Sequence, residues 1–131
     1  MPELPEVQTV VNNLEEKITN KTKAIIPVHL NGRAVNMSKI NTIAKKHNLI
    51  VVEDTCQSLL SNIDGNYLGT LSNIGSFSLG MAKLISMGFG GFNICHDVET
   101  YNKMIKFRNH GSTLPYQHEG LGFNFKVSDL L

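Results

Sequence analysis

Asp54, Ser78 and Lys83 stand at or just beyond the ends of apolar runs, and His29 closes another such run. They offer a carboxylate, a hydroxyl, an amine and an imidazole, the groups that hold polar ligands and move protons. Such groups also sit at strand ends for solubility alone, so they make a site only if the fold gathers them. Cys56 and Cys95 lie too far apart in sequence for metal-ligand spacing, and two thiols exclude a four-cysteine zinc centre. They read as free thiols of a reducing compartment, and no metal site is expected.

The elements that must position these residues follow from hydrophobic periodicity. Val7, Val10, Val11, Leu14 and Ile18 form one helical stripe, with Pro5 and Glu6 suited to its start. Ala24 to Val28 reads as a short buried strand, although Pro27 cannot donate to a ladder. A second amphipathic helix runs from Met37 to Asn48, with Met37, Ile40, Ile43, Ala44 and His47 on one face. Leu49 to Val52 is a continuous apolar strand ending at Glu53-Asp54. Strand, helix, strand with short connections predicts a parallel crossover, and unbroken hydrophobicity predicts a sheet covered on both faces.

The second half is richer in glycine. Asp64-Gly65 predicts a turn, Ile74 to Leu79 a strand, Gly88 to Gly91 a tight loop and Phe92 to Cys95 a further strand. Asp97 can cap a helix from Val98 to about Arg108. His110 to Val127 shows no period. The expected class is α/β, with a mostly parallel sheet and flanking helices. In such sheets ligands bind outside the carboxyl ends of the strands, where Asp54, Ser78 and Lys83 would meet.

Composition narrows the function. The 131 residues hold 12 Lys plus Arg and 11 Asp plus Glu, a formal charge of +1, so no surplus of cations exists to neutralise phosphate backbones. Nucleic acid is not the expected partner. No apolar run is long enough for a membrane span, and the N-terminus has no basic region of the secretory kind, so a cytoplasmic protein is expected.

From about Leu14 onward the chain resembles the DegT/DnrJ/StrS aminotransferases, pyridoxal-phosphate enzymes that aminate nucleotide-linked keto-sugars. The resemblance is carried by Thr22 to Leu30, Val52-Glu53-Asp54-Thr55-Cys56-Gln57, Gly75-Ser76-Phe77-Ser78, Lys83, Gly88 to Gly91, Arg108-Asn109-His110-Gly111 and Leu121 to Phe125. It implies that the fold is part of a fold-type-I large domain and that the cofactor is pyridoxal 5'-phosphate. It gives Lys83 the Schiff base with the cofactor aldehyde and the proton shuttle, and Asp54 the protonated ring nitrogen. It gives Gln57 the phenolic oxygen, Ser78 the phosphate, and Asn124 the phosphate of a neighbouring subunit in a homodimer. A nucleotide-sugar and an amino donor, usually glutamate, are the implied substrates. Leu79-Gly80-Met81-Ala82 and Leu84-Ile85-Ser86-Met87 depart from the usual pattern around the lysine and leave the sugar open.

The family runs to about three times this length, which implies that a phosphate loop, an aromatic that stacks on the ring and a small domain lie outside the chain. Residues 1–14 resemble a different family. Met1-Pro2-Glu3-Leu4-Pro5-Glu6-Val7 is similar to the start of formamidopyrimidine-DNA glycosylases. There Pro2 would be the nucleophile after loss of Met1, and Glu3 a proton donor. The chain thus divides into a glycosylase-like helical segment, 1–14, and a partial cofactor-binding domain, 15–131. A DNA-repair remnant acting through Pro2 is the alternative function.

Overall fold

The structure, a computed structural model, describes residues 13–126. Its centre is a four-stranded sheet of order β1-β2-β5-β6, formed by β1 (Ala24–Ile25), β2 (Ile50–Asp54), β5 (Ile74–Ser78) and β6 (Gly91–Cys95). β1 pairs with β2, and β2 with β5, in parallel; β6 returns antiparallel to β5. The mostly parallel α/β sheet expected from the sequence is present.

Helix α2 (Met37–His47) makes the crossover between β1 and β2. The Asn36 side chain accepts from the Lys39 N–H at 3.0 Å at its start. Asn48 ends it in the left-handed region at φ 52°, and the Leu49 N–H reaches back to the Ala44 carbonyl at 2.9 Å. The helix presses Met37, Ile40, Ile43 and Ala44 onto Ile25 and Val51, and these six side chains form the buried core. Alternation along β2 puts Val51 and Glu53 on this covered face. The other face is open among the described residues: Val52 and Asp54 are half-buried. Coverage of both faces, expected from the continuous apolar run, is therefore not seen within residues 13–126.

The first strand is shorter than its hydrophobicity predicts. Only Ala24 and Ile25 join the ladder, Ile26 is 65% exposed, and Val28 rejoins by an isolated bridge to Asp54. Pro27 explains the break, since it has no N–H to donate. Of the helix expected over Val7 to Ile18, α1 (Leu14–Lys17) is helical, Ile18 instead leaves it in an extended conformation at ψ 130°, and the residues before Asn13 lie outside the described residues.

Asp64 and Gly65 both take positive φ, 51° and 79°, and join β3 (Asn62–Ile63) to β4 (Asn66–Tyr67) as a tight hairpin. Helix α3 (Val98–Arg108) follows β6, capped by Asp97, whose carboxylate accepts from the Thr100 N–H at 2.6 Å. The stretch after it is not structureless. It forms a hairpin, β7 (Ser112–Leu114) with β8 (Gln117–His118), and an antiparallel bridge between Asn109 and Asn124. Phe123 packs edge-on to Phe107, with ring centroids 5.2 Å apart. Backbone pairing and aromatic contacts order this stretch, and neither leaves a periodic trace in sequence.

Candidate active site

β2 delivers Asp54 at its carboxyl end, and the backbone there is held from both sides. Its N–H donates to the Pro27 carbonyl at 2.9 Å, and its carbonyl accepts from the His29 N–H at 3.0 Å. Its side chain accepts from the Cys56 N–H at 3.0 Å, closing a short Asx turn. The Cys56 thiol donates to the Ser76 carbonyl at 3.9 Å. Burial pushes that thiol up from its ordinary value, hydrogen bonding to Asp54 and its charge push it further, and the charge of Lys83 pulls the other way. Asp54 and Lys83 thus act on one sulfur atom, although 28 residues separate them as numbered.

Lys83 rides on the loop 79–90 that joins β5 to β6. Antiparallel pairing brings the loop ends together, with Leu79 N–H on the Gly90 carbonyl at 3.0 Å. The Lys83 N–H donates to Gly80 at 3.1 Å and Met87 N–H to Leu79 at 3.0 Å. Gly88 and Gly90 take φ of 83° and 109°, which the return requires of glycine. A Cβ at Gly91 would lie 2.2 Å from the Phe77 carbonyl oxygen, so the strands meet too closely there for any side chain. At the end of β5 the Ser78 Oγ accepts from the Gly80 N–H at 3.2 Å, which leaves its own proton to donate.

The remaining residues divide. Gln57 is exposed one turn beyond Asp54; its Oε1 accepts from the Asn31 N–H at 3.4 Å and its carbonyl from Gly32 at 3.1 Å. Asn124 is placed on a different part of the chain, exposed and bridged to Asn109 at the end of α3. Pro2 and Glu3 lie outside the described residues. No group of His, Cys, Asp and Glu able to hold a metal occurs among the described residues.

Glu53 escaped the sequence reading of the site. It is wholly buried and hydrogen-bonded to the equally buried His29, Oε2 to Nε2, at 3.0 Å. The signal was available: alternation from buried Val51 puts Glu53 on the core face, where a carboxylate requires partners. A cleft of about 1210 Å³ lies elsewhere, between β6 and α3, lined among others by Phe89, Phe92, Tyr101, Phe107 and Phe125. Neither Asp54 nor Lys83 borders it.

Residues 4–131 match the DegT/DnrJ/EryC1/StrS aminotransferase family. The chain belongs to that family. The GDP-perosamine synthase of Escherichia coli O157:H7 is 37% identical over 125 residues, which are 94% of this chain and 34% of that protein. The crystal structure of S. venezuelae DesV in complex with a ketimine intermediate superposes with a TM-score of 0.85 at 32% identity, over 89% of this chain and 32% of that one. E. coli GDP-4-keto-6-deoxy-D-mannose-3-dehydratase, solved with bound hydrated PLP, gives a TM-score of 0.71 at 31% identity, over 87% and 30%. This member of the family spans about a third of the length of these relatives. No helix among its described residues is long and apolar enough to cross a membrane.

Proposed function

We propose that this chain is the cofactor-binding portion of a pyridoxal-phosphate-dependent aminotransferase that passes an amino group, usually from glutamate, to a nucleotide-linked keto-sugar. The family match over residues 4–131 carries the reading, and the parallel pairing of β2 with β5 supports it by putting Asp54 and the loop that bears Lys83 at the same end of adjacent strands. An acid and an amine are the pair that this cofactor needs at its ring nitrogen and its aldehyde. The membership of the family and the sugar named in the GDP-perosamine synthase support the substrate class. A cytoplasmic setting and a homodimer, in which Asn124 serves the neighbouring subunit's phosphate, belong to the same proposal.

The donor set fits pyridoxal phosphate. Bound, the cofactor supplies an electron sink conjugated to the reacting carbon. Asp54 would keep the ring nitrogen protonated by ion pairing, because a fixed carboxylate stabilises the cation beside it. Gln57 would donate from its amide to the phenolic oxygen. Ser78 would donate its free hydroxyl proton to the phosphate, helped by backbone N–H groups of the following turn. Lys83 would hold the aldehyde carbon through Nζ and carry a proton at that nitrogen once released.

Titration of the chain with pyridoxal phosphate, followed by borohydride reduction and mass analysis, tests this. A yellow adduct that reduces onto Lys83 and disappears in Lys83→Ala is the expected result. Reduction distributed over surface lysines, with no loss in Lys83→Ala, would refute the assignment.

A further inference from the structure

The Glu53 carboxylate accepts four hydrogen bonds from separate parts of the chain. Oε2 takes the His29 Nε2–H at 3.0 Å and the Gly69 N–H at 2.8 Å. Oε1 takes the Leu71 N–H and the Ser72 hydroxyl, each at 2.8 Å. The His29 ring is fixed in turn: the Val35 N–H donates to Nδ1 at 3.3 Å, so the proton resides on Nε2 and points at Glu53. The Ser58 hydroxyl donates to the His29 carbonyl at 2.6 Å, and the His29 N–H is the group that holds the Asp54 carbonyl. One buried pair thus ties the end of β1, the end of β2, the turn after Asp54 and the segment leading into β5.

We infer that the buried Glu53–His29 pair is a positioning device that holds the Asp54 carboxylate in place against the Cys56 N–H. It acts through the His29 backbone, whose N–H clamps the Asp54 carbonyl. This goes beyond the function proposed above, which assigns nothing to Glu53, and rests on that reading only for what Asp54 does there. The chemistry of the pair makes it sensitive to one atom. Each carboxylate oxygen faces two donors, so a glutamine at 53 turns its NH₂ onto two donors whichever way it lies. On the Oε2 side both contacts then repel; on the Oε1 side the Leu71 N–H repels while the Ser72 hydroxyl can turn its proton to the Val51 carbonyl, so His29 or the 69–72 segment must move either way. The clamp on Asp54 moves with it.

The Cys56 thiol reports the position of Asp54 with no cofactor needed. In a Cys95→Ser background Cys56 is the single thiol, and its alkylation rate against pH gives its apparent pKa. Asp54→Asn is expected to lower that pKa and raise the rate near neutral pH, by up to about tenfold for each unit lost. Glu53→Gln is expected to shift the profile the same way while Asp54 is intact. Ser72→Ala, which removes one donor of the four, is expected to shift it less and serves where Glu53→Gln does not fold. Ile43→Val, a packing change in the core away from the pair, is expected to leave it in place. An unchanged profile in folded Glu53→Gln, or in Ser72→Ala when the former is unfolded, overturns the proposal. So does an unchanged profile in Asp54→Asn, or an equal shift in Ile43→Val. Failure of the chain to bind pyridoxal phosphate would refute the proposed function and leave every arm of this test readable.

Discussion

Gly75 on β5 packs its Cα against the carbonyl of Gly69, so closely that a Cβ at position 75 would sit 1.9 Å from that oxygen. The obstacle is backbone, and no side-chain rotation relieves it. Gly69 is equally confined, at φ 85° and with Phe77 where its own Cβ would be. Gly75→Ala is therefore expected to destabilise the chain by about 3 kcal/mol, in the upper range for overpacking. Urea denaturation checks this, with Gly65→Ala as a comparison, since a Cβ there meets nothing within 4 Å and only the positive φ of 79° opposes it.

Acid should unfold the chain through Glu53. Burial pushes its carboxyl up, but the four donors outweigh burial and hold it below the ordinary value of 4.5. A carboxyl lowered in the folded state contributes stability that is present above 4.5 and is lost as pH falls through the lower, folded value. Glu15, Asp97 and Glu119 are lowered too, by Lys46, Thr100 and Lys106 respectively, but water screens their exposed partners. Unfolding free energy measured between pH 7 and 3 is expected to fall steeply only below pH 4.5, and Ser72→Ala, by raising the folded value towards 4.5, should make that fall smaller. A uniform slope unaffected by Ser72→Ala would contradict this.

The cap on α3 gives a smaller effect. The Asp97 carboxylate accepts from the Thr100 N–H and is held below its ordinary value mainly by the Thr100 contacts. Asp97→Ala should lower the melting temperature, and Asp97→Asn clearly less, because the amide oxygen still accepts. Thermal unfolding of the two variants separates the hydrogen bond from the charge.

How far the sequence could be read depended on whether a feature was local. Helix α2, with its apolar stripe and closing Asn48, and α3, with Asp97, were legible because a helix writes its period and its ends into neighbouring residues; the Asn36 cap was not read. β2 was legible as an apolar run leading to Asp54. The break at Pro27 was visible as a missing donor but not as the exposure of Ile26. Glu53 was overlooked because its four partners are 16 to 24 residues away. The order after α3 rests on the Asn109–Asn124 bridge and on Gly122, whose Cβ would strike the Gly111 nitrogen at 1.9 Å; such contacts have no period. Lys83 owed its assignment to the family words around it, since a lysine in a glycine-rich loop is otherwise a surface residue.

The edge of the sheet predicts self-association. β6 is the last strand of the described sheet, and its residues Gly91 to Cys95 carry no charge and no proline to discourage pairing. Beside it Phe89 is 72% exposed and Phe125 61%, bordering the cleft against α3. An unprotected, neutral edge next to exposed aromatic side chains favours contact between copies of the chain as concentration rises. Size-exclusion with light scattering is expected to show mass increasing with loading concentration. Asn93→Lys, which puts a charge on an exposed position of that strand, should reduce the increase without lowering thermal stability by more than about 1 kcal/mol. A monomer peak independent of concentration in the unmodified chain would show that this edge is protected.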